Sequence, residues 1–102
     1  MLKIFLLIVL FIHGMIHTLG FLKAFQLAEI NQLTQNISKQ MGIFWLIALI
    51  LFFAAAIQLI SNHDLWWITA LAALLLSQVL IILFWQDAKF GTIANIIVLL
   101  SV

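Results

Sequence analysis

His13 and His17 stand four residues apart in a stretch that is otherwise apolar. On a helix that spacing places two imidazoles one above the other on a single face. Imidazole can ligate a metal, carry a proton, or hydrogen-bond a polar head group. A structural or catalytic zinc takes three or four protein ligands. The chain has no cysteine, and its only other histidine, His63, is expected at the opposite end of the helices, so no metal site is expected. Haem held by two histidines needs them on opposite sides of the ring, an arrangement that one helix face supplies only if a second copy takes part. A quinone or lipid head group at His17, or a proton path through the pair, asks less. There is no glycine-rich phosphate loop, no carboxylate pair and no nucleophile–base set, so the residues point away from an enzyme.

Two more polar residues belong with the histidines. Counted inward at ~1.5 Å per residue, His17 lies about 9 Å from Lys23, Gln78 about 10 Å from Trp85 and Asn95 about 12 Å from Asp87. His13, His17, Gln78 and Asn95 therefore form a polar layer contributed by three helices. As structural glue, each such contact is worth roughly 0.6 kcal/mol, up to ~1.7. As a site, the layer would hold a quinone, a haem or a transferred proton. Lys23, Asp87 and Lys89 make a charged rim above it, where snorkelling and topology anchoring are the ordinary roles. An ion pair between Lys23 and Asp87 is expected.

The elements that must position these residues follow from composition. Of 102 residues, 68% are hydrophobic and 7% charged, and mean hydropathy is +1.36. A soluble domain is about half apolar and about a quarter charged, which excludes that class, and disorder needs the opposite bias. A net charge of +1 carries no basic patch for a nucleic acid. The expected fold is all-α, an integral membrane four-helix bundle in a single transmembrane domain, with the lipid bilayer as the first partner. Crossing ~30 Å of hydrocarbon takes about 20 apolar residues, and the apolar runs predict helices over about 4–24, 43–60, 65–85 and 87–102. No proline interrupts them. Trp66, Trp67 and Trp85 mark the two ends of the third, with Trp45 expected at the level of Trp85. The fourth run is short, as though the chain were a piece of a longer one. Lys3 and the apolar run to Ile12 also resemble the start of a signal peptide, but Thr18-Leu19-Gly20 is a poor cleavage site and the apolar pattern resumes beyond it.

Residues 25–41 form the one long connection. Ile30, Leu33, Ile37 and Met41 recur at helical spacing while Asn31, Gln32, Gln35 and Asn36 fill the other side, so an amphipathic interfacial helix is expected over about 28–41. In the tight connection Ser61-Asn62-His63-Asp64, Asn62 suits a helix end and Asp64 an N-cap. Lys23, Lys39 and Lys89 against Lys3 put connections one and three in the cytoplasm and both termini outside. Small residues should seat the helices: Thr69, Ala73 and Ser77, then Gly14 with Thr18, Gly91 with Asn95, and Ala54 to Ala56.

Three segments, "HGMIHTLGFLKAF" at 13–25, "EINQLTQNISKQMG" at 29–42 and "LSQVLIILFWQDAKFGTIANIIVLL" at 76–100, together resemble an uncharacterised family of bacterial inner-membrane proteins. Its members open with a His-Gly-x-x-His helix and carry Asp-Ala-Lys-Phe-Gly-Thr-Ile-Ala-Asn before the last helix. The resemblance spans nearly the whole chain and marks His13, Gly14, His17, Gly20, Lys23, Gln78, Asp87, Lys89, Gly91 and Asn95. It implies a multi-pass protein of the bacterial inner membrane, the membrane part of longer proteins ending in a soluble domain of unknown function. It supplies no activity. The reading that results is a non-enzymatic anchor or scaffold acting with a membrane partner or a second copy. The alternative is a small-molecule or redox site on His13 and His17.

Overall fold

The computed structural model describes residues 2–30 and 33–102, and the described chain is helical without strands. Five helices follow in order: α1 Leu2–Ala24, α2 Lys39–Ile60, α3 Trp66–Leu83, α4 Trp85–Ala88 and α5 Gly91–Ser101. The first three are long and apolar enough to cross a membrane, whereas α5 is apolar and shorter. α1 packs on α2 and α5, and α3 packs on the same two, which makes a closed ring of neighbours. The molecule is elongated, 38 × 21 × 19 Å.

Each long helix buries one narrow stripe. On α1 it is Leu6, Leu10, His13, Gly14, His17, Gly20 and Ala24; on α3 it is Ala70, Ala73, Leu74, Ser77, Leu80 and Ile81. These steps of three and four trace one side of a 3.6-residue helix. The remaining faces carry exposed Ile, Leu and Phe, such as Phe11, Ile50, Leu75 and Leu100. A water-soluble bundle would place charge there. The seam between α1 and α2 is close because glycines face large neighbours. A Cβ on Gly20 would fall on the Trp45 indole, and one on Gly42 would fall on the Ala24 methyl.

The closing ends of the first two helices follow backbone logic. α1 is followed by Gln26 at φ 56° and α2 by Asn62 at φ 56°. In each, the next residue's amide reaches back across the last turn: Leu27 N–H to Leu22 O at 2.9 Å, His63 N–H to Gln58 O at 2.8 Å. These are Schellman ends, with an αL residue satisfying carbonyls that the helix leaves open. Ser38 opens α2, its hydroxyl accepting the Met41 amide at 3.1 Å, so α2 starts four residues before the expected boundary at Ile43.

Four expectations need correction. The interfacial helix over 28–41 is not formed: residues 28–30 and 33–38 are bends and irregular chain, α2 takes over at Lys39, and Asn31 and Gln32 lie outside the described residues. The run expected over 87–102 is divided, since α4 and α5 are separate around Lys89 and Phe90. Phe84, at φ −116° and ψ 38°, leaves the helical region and ends α3 before Trp85. Asp64 does not cap α3, whose N-cap is Leu65 with no side-chain bond; instead His63 Nδ1 accepts the Leu65 amide at 3.1 Å.

Candidate functional site

His13 and His17 project from the buried face of α1, 3% and 1% exposed, with their rings edge to face at 4.7 Å. Their protons can be placed by elimination, because a carbonyl oxygen only accepts. His17 Nδ1 lies 2.7 Å from the His13 backbone oxygen, so Nδ1 carries the hydrogen and donates it. Neutral His17 therefore has a bare Nε2, which accepts the Ser77 hydroxyl at 2.8 Å. His13 Nε2 lies 2.9 Å from Asn95 Oδ1, so there Nε2–H is the donor. A longer approach of 3.4 Å joins the same nitrogen to Ser77 Oγ.

Asn95 extends the network with its amide. Nδ2 donates to Ser77 Oγ and to Gln78 Oε1, both at 3.1 Å. Gln78 Nε2 in turn donates to Thr92 Oγ1 at 3.2 Å. Thus α1, α3 and α5 are joined through side chains by one connected set of neutral hydrogen bonds. The structure brings together the four residues expected in the polar layer, with Ser77 at the centre. Sequence reasoning placed Ser77 only in a small-residue ridge and passed over Thr92. Its signal was position: Ser77 precedes Gln78 and lies on the buried stripe of α3.

Aromatic rings hold the histidines from the α2 side. Phe52 packs on both, at 4.8 Å from His13 and 5.2 Å from His17, and Trp45 lies 5.2 Å from His17. Trp45 was expected to anchor at an interface. It is instead 4% exposed, lying against Gly20 and Phe84 at 5.9 Å, because Gly20 leaves room for its ring inside the seam. Its Nε1–H finds no acceptor among the described residues.

The charged rim works differently from the expected ion pair. Lys23 and Asp87 do not bond to one another; each grips the connection between α1 and α2. Lys23 Nζ donates to the Leu33 carbonyl. Asp87 accepts the Thr34 and Gln35 amides, each at 2.7 Å, and the Thr34 hydroxyl at 2.6 Å. Side chains thereby take backbone groups that a helix would need for itself, which is why helical periodicity here yields a strap. Ile37 still turns inward, 9% exposed. Desolvation raises the Asp87 carboxyl, but the Thr34 hydroxyl, the two amides and the nearby Lys23 charge outweigh it and hold it below the usual carboxylate value. Lys89 stays apart, over the Phe90 ring at 5.4 Å. At the other end of the molecule Lys3 donates to Asn62 Oδ1 at 2.6 Å.

Among the described residues no three His, Cys, Asp or Glu side chains gather as a metal site would need. The Nε2 atoms of His13 and His17 are both bonded inside the core, one to Asn95 and one to Ser77. Comparison with protein-family models, with curated proteins and with solved structures found no match to this chain.

Proposed function

We propose that this chain is a four-helix module of the bacterial inner membrane, with α1, α2, α3 and α5 crossing or entering the bilayer and α4, which carries Asp87, at the charged rim. In this reading it is a non-enzymatic anchor or scaffold that holds a membrane partner or a second copy. The observation that carries the reading is the self-contained polar network. Its side chains bond one another across α1, α3 and α5, while the outward faces stay apolar. Polar groups in hydrocarbon are costly unless paired, and pairing them across helices selects one arrangement of neighbours. The lysine distribution supports termini outside and the strap in the cytoplasm.

The absence of cysteine in the sequence makes the topology directly testable. Single cysteines at Asn36 and Asp64 would be labelled with a membrane-impermeant maleimide in spheroplasts. Asp64→Cys should label at once and Asn36→Cys only after permeabilisation; the reverse pattern would invert the orientation. Release of the protein by alkaline carbonate would sink the membrane reading. A Soret band in the purified protein, lost in His13→Ala/His17→Ala, would overturn the anchor reading in favour of a redox site.

A further inference from the structure

The space beside the polar network is closed at one end by irregular chain rather than by a helix. A cavity of about 270 Å³ has His13, His17, Trp45 and Gly91 in its wall and Leu33 and Ala88 at its rim end. Close-packed interiors hold few voids larger than a water molecule, so a space of this size next to two histidines is a feature of the fold. Sideways it continues between α1 and α5 into a groove past Ile8, Ile12, Ile93 and Ile97, which a bilayer fills with hydrocarbon. The rim end faces water. Residues 33–38, bends and irregular chain, are seated there by apolar side chains and gripped by charged ones. Ile37 belongs to the buried cluster of Ala24, Trp45 and Phe84, and Leu33 packs against that cluster. Asp87 accepts the Thr34 and Gln35 amides and the Thr34 hydroxyl, and Lys23 takes the Leu33 carbonyl.

We propose that residues 33–38 are a latched lid: Asp87 holds them shut over the His13–His17 cavity, and release of Asp87 opens that cavity to water from the rim. The bonds from Thr34 to Asp87 are exposed, so water competes for the same donors and acceptors. Segments held by solvent-exposed hydrogen bonds open locally while the core stays folded. The latch is therefore the exchangeable part of the seal, and Leu33 is the part that blocks the mouth. Once Leu33 lifts, water reaches the wall that His13 and His17 share. Asp87 stands on α4, next to α5, so a shift of that segment and release of the lid are one event. The lid rests on the membrane reading in one respect, that hydrocarbon and not water lies at the sideways opening.

Cysteine accessibility in the full chain tests it, in membranes permeabilised so that both faces meet the reagent. Ala94 lines the cavity and its sideways groove, so Ala94→Cys is the reporter. The probe is a positively charged methanethiosulfonate, which stays out of hydrocarbon and reacts with the thiolate. Ala94→Cys should react slowly in the parent chain and roughly tenfold faster or more when Asp87→Ala is added, as loss of hydrogen bonds to a charged group implies. Thr34→Val, which removes the hydroxyl bond alone, should give a smaller acceleration, and it decides the matter if Asp87→Ala does not fold. Ala70→Cys, fully buried in the other half of the bundle, should stay unreactive throughout. Equal Ala94→Cys rates with and without the latch would overturn the lid. So would fast reaction in the parent chain, which means a cavity already wet, or a matching acceleration at Ala70→Cys, which means a loosened bundle. Carbonate extraction of the same membranes reports membrane residence separately, so failure of the lid is distinct from failure of the module.

Discussion

His13 Nε2 donates to Asn95 Oδ1 across 2.9 Å although 82 residues separate the two in the chain. That contact closes α5 onto α1, along a seam where an open groove runs past Ile8, Ile12, Ile93 and Ile97. It turns a short apolar helix into a fixed member of the ring.

Its strength can be read by a double-mutant cycle. His13→Leu, Asn95→Leu and the pair, unfolded in mixed micelles, should show a coupling of roughly 0.6–1.7 kcal/mol, the range for hydrogen bonds between membrane helices. Additivity within ~0.3 kcal/mol would mean that the contact contributes nothing to the fold.

Ser77→Ala removes the hub. His17 Nε2 loses its donor and one Asn95 hydrogen loses its acceptor, and a buried polar group left unpaired costs about 1–3 kcal/mol. A loss of stability in that range is expected in the same unfolding assay, and Ser77→Thr should not restore it, because Ser77 is fully buried and an added methyl has no space.

Gly20→Ala should destabilise by about 1–3 kcal/mol through overpacking, since its methyl falls on the Trp45 ring. Combining it with Trp45→Leu should recover part of that loss. A stable Gly20→Ala single variant, by thermal melt, would show that the α1–α2 seam is looser than this.

The strap gives a pH dependence. Asp87 is held below its usual value, so its contribution is present above the unfolded carboxylate pKa of about 3.9 and is lost as pH falls through the lower folded value. Protection of the Thr34 and Gln35 amides from hydrogen exchange, taken relative to the intrinsic rate at each pH, should be high near neutrality and fall below about pH 4. In Asp87→Asn that protection should be low at every pH. Undiminished protection in that variant would remove Asp87 as the anchor.

Gln26 occupies the left-handed region at φ 56°, which costs an ordinary L-residue roughly 1–2 kcal/mol. Gln26→Gly should therefore raise stability by about 0.4–1 kcal/mol. Asn62→Gly should gain less, because asparagine tolerates that conformation and its Oδ1 accepts from Lys3. A higher melting temperature for the first and little change for the second is the expected pattern.

By itself the sequence determined what depends on local pattern and composition. The three long apolar helices, the αL end at Asn62 and the common depth of His17, Gln78 and Asn95 were all legible, because rise per residue and solvent preference act residue by residue. Tertiary structure alone decided the rest. Whether residues 33–38 became a helix depended on Asp87 and Lys23 reaching the chain at Leu33, Thr34 and Gln35 from elsewhere. Whether Trp45 faced outward depended on the missing side chain of Gly20 on another helix. Which nitrogen of each histidine carries its proton depended on a carbonyl one turn back and on Asn95, far along the chain. In each case the deciding partner is remote in sequence, and a hydrogen bond or a close packing contact is a property of a pair that neither residue announces alone.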